Sequence, residues 1–400
     1  MAATVTRPAR GQAPQRGGPA VDRWASKRAP YLDNLKVILI ASIIAIHGIL
    51  GYAGLVEVWS YTDVREVTLA PVTEAVLFVV VAPFGFFLMP LLFLVAGLLT
   101  RPSLERKGTA AYVRDRLLRL GVPFIAYVLL VQPALMYGLE HPLGEASGSY
   151  WYEFLGEERQ VDTGPLWFVG VLLVFSLGYA GWAGLRRHHP ARPTPGPVTV
   201  RRLLLLSAAV APASFLVRLA YPYGSESGFT DLNLWEWPAC AAVFALGIVA
   251  SRQGWFTAVP ERLGRQCRTV TLLAFGAMAA FLTITGLLDM VDEWMGGWNW
   301  PALGFAVIEG PLTVFGSVWL LQVAQRRLNR RARWGPVLGR SAYGAFMVQT
   351  LLLLGVALVM RPVPVPAEVK ALVVAAGGVA GSFALAWLLI SRLPGAARIL

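Results

Sequence analysis

Residues 37–50 of the chain read VILIASIIAIHGIL, an apolar run in which His47 is the one ionisable side chain. The longer run that contains it, 35–55, matches the roughly 20 residues that a helix needs to cross the core of a bilayer. An ionisable group is costly in hydrocarbon and is usually kept there for a purpose. This stretch therefore predicts a membrane-spanning helix and, inside it, a candidate functional histidine.

Nine further apolar runs of similar length follow, at 75–99, 120–138, 164–185, 203–221, 233–250, 269–290, 301–324, 341–360 and 367–391. The whole chain of 400 residues is 56% hydrophobic and only 14% charged. We therefore predict an all-α fold, a polytopic membrane helix bundle of about ten transmembrane helices. Residues 30–400 would form this membrane domain. Residues 1–29, rich in Gly, Pro and Arg, would form a disordered basic cytoplasmic tail.

The distribution of positive charge predicts the orientation. Thirty of the 35 Lys and Arg residues fall in the tail and in the loops on the same side as the N-terminus. The positive-inside rule then predicts that both termini are cytoplasmic, which requires an even number of spans. The net charge of +12 is explained by these loops, so we expect no nucleic-acid partner. The two cysteines have neither the spacing of a disulfide framework nor that of a metal site, and we predict no bound metal.

His47 shares a helical face with a cation. His47 is eleven helical steps after Lys36, which is three helical turns plus about 20° and about 16 Å along the axis. Asp33 lies three residues before Lys36 and could pair with it. Catalysis or proton relay is the interpretation that we favour for His47. The alternative is a histidine that only packs between helices, and Lys36 alone would be an interfacial lysine.

A second constellation, Arg116 and Arg119, lies at the cytoplasmic mouth of the predicted third span. The two arginines are three residues apart and share a face, a spacing that suits a phosphate-bearing ligand. The competing interpretation is an anchor for lipid headgroups, so that membrane lipids would be the partner.

Three charged residues lie inside later spans: Arg218 in the fifth, Glu236 in the sixth and Glu309 in the eighth. A lone arginine in lipid needs a carboxylate partner, and Glu309 or Glu236 would serve. The group is either a substrate-binding cluster or a structural ion pair that ties helices together. Trp167, at the start of the fourth span, is either part of the same binding function or an interfacial aromatic residue.

The order of these features resembles the acyltransferase 3 family of integral-membrane enzymes, which O-acylate sugars of bacterial envelope glycans and include glucan-modifying members. The resemblance covers most of the chain with the same number of spans. The matching segments are LDNLK at 32–36 with His47, PLLFLVAG at 90–97, YVRDRLLRL at 112–120, GPLWF at 164–168 and LGRSAYGAFMVQ at 338–349.

The resemblance implies a role for each matched residue. His47 would be the catalytic base, and Arg116 and Arg119 would handle acyl-CoA. Lys36 stands where the family usually has an arginine, so the charge remains but the planar bidentate fork is lost. Gln349 stands where many relatives carry a second histidine, which speaks against a mechanism that needs two imidazoles.

The resemblance thus implies an O-acyltransferase that moves an acyl group from acyl-CoA to a hydroxyl of a glycan or related envelope acceptor. Acyl-CoA, acetyl-CoA in the first place, would be a co-substrate, with no bound cofactor. The implied location is the bacterial cytoplasmic membrane, with a glycan or small-molecule acceptor and envelope-synthesis proteins as partners. The alternatives are a proton-coupled transporter or flippase of glycans, lipids or small molecules, and a catalytically inactive scaffold.

Overall fold

The computed structural model describes residues 29–54, 62, 64–143, 162–186, 196–225, 231–331 and 333–392, so the predicted tail lies outside it apart from Ala29. Its helices, in chain order, are α1 (Pro30–Leu50), α2 (Pro71–Val80), α3 (Ala82–Lys107), α4 (Thr109–Gly138), α5 (Trp167–Leu185), α6 (Val200–Ala220), α7 (Trp237–Ser251), α8 (Glu261–Leu287), α9 (Val291–Met295), α10 (Trp300–Arg327), α11 (Gly335–Met360) and α12 (Ala367–Arg392).

The prediction of ten spanning helices is confirmed. Within the described ranges, ten helices are long and apolar enough to cross a membrane, and all residues in regular secondary structure are helical. Each predicted run corresponds to one of them, and only the short helices α2 and α9 fall outside the set. The cytoplasmic location of both termini stays a prediction.

The second predicted run is divided between two helices. The chain leaves α2 at Val80 and begins α3 at Ala82, with Pro83 in the first turn of the new helix. Proline is tolerated there because the first backbone N–H groups of a helix have no intrahelical acceptor. Pro90 lies further along and α3 continues through it.

The third span begins earlier than its apolar run suggests and is irregular. Helix α4 starts at Thr109, so the predicted loop with Arg116 and Arg119 is helical. Two π-helical turns, Leu117–Gly121 and Tyr127–Val131, interrupt its α-helical hydrogen bonding. Such turns are rare in proteins and occur often at functional sites.

The spans assemble in groups that decide which polar residues meet. Helix α1 packs against α11 and α12, which also pack against each other. Helix α3 packs against α7 and α10, and α4 lies against α5. The α3–α7 contact is very close, because a Cβ at Gly97 would lie 2.2 Å from the Phe244 carbonyl oxygen. Small residues at helix crossings provide this packing in membranes, where lipid offers no hydrophobic drive for association.

Candidate active site

His47 meets a side chain from the ninth span. Its Nδ1 lies 3.2 Å from Oε1 of Gln349 on α11, and Gln349 is fully buried. An amide oxygen only accepts hydrogen bonds, so Nδ1 carries the proton in this arrangement and the lone pair of the neutral ring is on Nε2. The contact therefore selects the tautomer in which Nε2 can take up a proton.

A polar network begins at the residue next to Gln349. The hydroxyl oxygen of Tyr127 lies 3.2 Å from Oγ1 of Thr350, and Tyr127 donates to Oε1 of Gln132 at 2.7 Å. The Gln132 amide nitrogen donates to the Asp162 carboxylate, which also accepts from the backbone N–H of Gly164 at 2.7 Å. Tyr127 and Gln132 are each 2% exposed. This network ties α4 and the start of the fourth span to the helix that holds the His47 partner.

Gly164 has a conformational reason to be glycine. Its φ is +47°, and a Cβ there would lie 3.1 Å from Oε1 of Gln132 and 3.3 Å from the Tyr127 hydroxyl. A side chain at this position would strain the backbone and crowd the network.

Trp167 lies inside the bundle, 5% exposed. The Asn233 side-chain amide is oriented so that its nitrogen donates a hydrogen bond to the Asp231 carboxylate. In this orientation the Asn233 amide oxygen accepts a hydrogen bond from Nε1 of Trp167 at 3.2 Å. Buried tryptophan usually satisfies its N–H in this way. The tryptophan therefore links the turn before α7 to the start of α5.

At the opposite end of α1, Lys36 pairs with Asp33 at 3.0 Å, as their spacing predicts, and its side chain is 39% exposed. A partly exposed pair of this kind contributes little to stability. Lys36 therefore remains accessible to a ligand.

The two arginines of α4 have different surroundings. The Arg116 guanidinium lies 5.0 Å from the centre of the Tyr112 ring. Arg119 pairs with Asp115 at 3.0 Å, yet its side chain is 57% exposed. Tyr343 on α11 donates to the Arg119 carbonyl at 3.2 Å, within the first π-helical turn. Helix α11 thus packs against α1, and through Tyr343 it also contacts α4 at Arg119.

A small cavity lies beyond the other end of α1. It is lined by His47, Gly48, Gly51, Tyr52, Leu353, Leu354, Ala357 and Val374. Lys36, Arg116 and Arg119 take no part in its wall. The cations and this cavity therefore lie on opposite sides of His47 along α1, and the cavity does not join them into one chamber.

The charged residues of the later spans form a separate cluster. Arg218 on α6 and Glu309 on α10 pair at 2.7 Å with side chains 1% and 3% exposed. The Arg218 guanidinium also lies 5.3 Å from the Tyr223 ring and 5.1 Å from the Phe305 ring. Glu236 is near enough to interact electrostatically with both members of the pair. This geometry ties α6 to α10.

Two features of this site, the contact of His47 with Gln349 and the network around Tyr127, could not be predicted from sequence spacing. The contact between Gln349 and His47 spans 302 positions of the chain, so no local sequence pattern indicates it. Tyr127 and Gln132 gave a weaker signal, because neutral polar side chains in a span are less conspicuous than charged ones. A search for buried amides and hydroxyls in spans would have found them.

A family model described as an acyltransferase domain, that of the acyltransferase 3 family, matches residues 29–391. The chain belongs to the acyltransferase 3 family. The match covers nearly the whole membrane domain, from the residue before α1 to the last turn of α12. No curated protein and no solved structure matches the chain. The protein is accordingly a multi-pass membrane protein of an acyltransferase family.

Proposed function

We propose that the protein transfers an acyl group from acyl-CoA to a hydroxyl of a glycan or related envelope acceptor, with His47 as the general base. The observation that carries this proposal is the contact between His47 and Gln349, in a chain whose family is that of acyltransferases. It leaves the lone pair on Nε2, as a base requires.

The cytoplasmic end supports acyl-CoA as the donor. Lys36 lies in the first half of α1, Arg116 and Arg119 lie in the first half of α4, and the Lys36 and Arg119 side chains are 39% and 57% exposed. Guanidinium and ammonium groups are the usual partners of phosphate oxygens. In this proposal they hold the phosphates of acetyl-CoA or a related acyl-CoA, about 16 Å along the helix from His47. The acyl arm extends toward the base.

The reaction needs one base and one site for negative charge. The acceptor oxygen attacks the thioester carbonyl carbon while its proton passes to Nε2 of His47. The carbonyl electrons move to oxygen, and then the C–S bond breaks and the thiolate of CoA takes the proton from the imidazolium. General-base help of this kind contributes about 10²–10⁴-fold.

Gln349 is the candidate donor for the oxyanion. Its Nε2 is buried and makes no hydrogen bond with any residue in the described part of the chain. A buried donor without a partner has lost its hydration, and it regains a bond when an oxygen atom arrives. Removal of one such donor typically costs about 10²–10³ in kcat.

The cavity supports an acceptor from the outer side, because it lies at the end of α1 away from Lys36. This fits an enzyme of the bacterial cytoplasmic membrane, where acyl-CoA is on one face and envelope glycans are on the other. Envelope-synthesis proteins would be its partners there.

The test is acyl transfer by purified protein in lipid nanodiscs, followed with radiolabelled acetyl-CoA and by release of CoA thiol. We expect wild type to release CoA in the presence of acceptor and His47→Ala to lose at least 100-fold of this rate. CoA release that is unchanged in His47→Ala would overturn the assignment of the base. Transport of labelled glycan into vesicles without CoA release would favour the transporter instead.

A further inference from the structure

A short segment of the chain, residues 64–70, crosses the end of the bundle at which the cavity lies, and we name it the strap. The Leu69 N–H of the strap donates to the Tyr52 carbonyl at 2.9 Å, and the Arg65 guanidinium donates to the Ala53 carbonyl. Both acceptors lie just past the last residue of α1. The strap is therefore bound to the end of α1.

The strap is also bound to the start of α12. The Ala70 N–H donates to a carboxylate oxygen of Glu368 at 2.9 Å, and the Lys370 ammonium pairs with the Glu66 carboxylate. Glu368 and Lys370 both lie in the first turn of α12. The strap thus joins the ends of two of the three helices whose residues line the cavity.

One wall of the cavity lies under the strap. Tyr52 lines the cavity and is only 2% exposed, although it follows the end of α1. Burial and the nearby Glu66 carboxylate of the strap raise the pKa of Tyr52 to about 12. The strap therefore covers Tyr52 with its backbone and brings a charged side chain close to it.

Little apolar surface holds the strap in place. Val64 and Leu69 are buried, whereas residues 66–68 and 70 are exposed. A segment with few buried apolar contacts opens more readily than the packed helices around it. The strap is therefore held chiefly by its polar contacts to α1 and α12.

We propose that the strap is a lid over the cavity beside His47 which opens to admit the acceptor, with the Lys370–Glu66 ion pair as its latch. The proposal rests on the acyltransferase function proposed above. With the strap closed, the cavity of about 10 Å³ has room for no more than one water molecule, so a glycan needs an open strap. Lys370 also donates to the Arg361 carbonyl at 3.2 Å, so the buried ammonium keeps a partner when Glu66 moves away.

Access beneath the strap is measured with a cysteine reporter. Ala53→Cys is a small change at a residue that is 3% exposed. Protein in lipid nanodiscs is treated with a charged methanethiosulfonate reagent, and the labelled peptides are quantified by mass spectrometry. Lys370→Met removes the latch cation and keeps a side chain of similar length. Labelling at position 53 should then be about 10- to 150-fold faster, the population change expected for loss of one hydrogen bond to a charged group.

Matched variants separate the latch from a general loosening of the bundle. Glu66→Ala breaks the same ion pair from the exposed strap and should give a similar increase. Arg326→Met breaks an exposed pair with Glu261 at the last turn of α10 and should leave the rate unchanged. The two native cysteines are each 0% exposed and should stay unlabelled; they are Cys240 and Cys267. An unchanged rate in Glu66→Ala, or an equal rise in Arg326→Met, would overturn the latch.

A disulfide tests whether the closed strap blocks turnover. A Cβ at Gly54 would lie 3.7 Å from Cγ2 of Thr68, so Gly54→Cys combined with Thr68→Cys can bond the strap to the end of α1. We expect the oxidised double variant to lose at least 10-fold of its CoA release with methyl glucoside as acceptor and to recover it in reductant. Gly54→Cys alone, treated in the same way, should keep its rate.

The lid and the proposed function fail in different ways. CoA release that depends on His47 but is indifferent to the disulfide would defeat the lid alone. CoA release that is independent of His47 defeats the proposed function, even where labelling at position 53 rises as expected.

Discussion

Replacing Gln349 by leucine removes the amide oxygen that holds the Nδ1 proton of His47 and keeps a side chain of similar size. The oxygen lies 3.2 Å from Nδ1, and Gln349 is fully buried, so bulk water has no direct access to this position. A buried donor that loses its acceptor costs about 1–3 kcal/mol. Because about 1.36 kcal/mol is a tenfold change, the productive tautomer should lose about 5- to 160-fold of its population.

We expect kcat to fall by that factor in Gln349→Leu while the KM for acyl-CoA is unchanged, since Lys36 lies about 16 Å from His47 along α1 and Arg119 is on α4. The assay is initial-rate CoA release over a range of acyl-CoA concentrations. A wild-type kcat in a leucine variant with an unchanged Tm would refute the reasoning.

Two further variants separate the roles of the amide. Gln349→Glu keeps an oxygen acceptor for His47 and removes the N–H donors, so it should lose about 10²–10³ in kcat if the nitrogen serves the oxyanion. A role in orienting His47 alone predicts little loss in this variant. Gln349→His introduces a second imidazole beside His47, and we expect it to retain more activity than the leucine variant.

The charged residues give the remaining predictions. Arg119→Ala and Lys36→Ala should each raise the KM for acyl-CoA about 3- to 10-fold with little change in kcat, because they remove ground-state contacts to phosphate. Arg265→Ala, an exposed cation on α8, is the matched control, and an equal effect there would mean that only total charge matters. Glu309→Gln should lower the free energy of unfolding by about 3–5 kcal/mol, because it removes the charge of the carboxylate that pairs with the buried Arg218. Thermal or denaturant unfolding measures this free energy. The double variant Arg218→Met with Glu309→Leu should recover part of the loss, because it removes both charges. A Glu309→Gln protein as stable as wild type would contradict the argument.

The spans could be predicted from the sequence because apolar length is a direct consequence of bilayer thickness. Their ends were less predictable. Arg116 and Arg119 looked like loop residues by polarity, but arginine is a good helix former and α4 extends through both. The apolar run 75–99 predicted one continuous span, and the structure divides it between α2 and α3, with Pro83 in the first turn of α3.

The site could be predicted only in part, for a physical reason. Residues on one helix have a fixed angular relation, so the pairing of Lys36 with Asp33 followed from spacing. The pairing of His47 with Gln349 depends on which helices are neighbours, and periodicity within one helix carries no such information. The hydrogen-bond network from Tyr127 to Asp162 could not be predicted for the same reason, because Tyr127 on α4 contacts Thr350 on α11 only in the folded protein.

The two π-helical turns of α4 also affect how its sequence is compared with others. Each π turn accommodates one residue more than an α-helical turn, and one residue is worth about 100° of rotation. A helical wheel drawn at constant pitch from Arg116 is therefore out of phase by about 100° at Tyr127 and by about 200° beyond Val131. A relative that lacked one residue in each turn could present the same two faces with an uninterrupted α-helix. Alignments across this span should allow such single-residue gaps at Leu117–Gly121 and Tyr127–Val131.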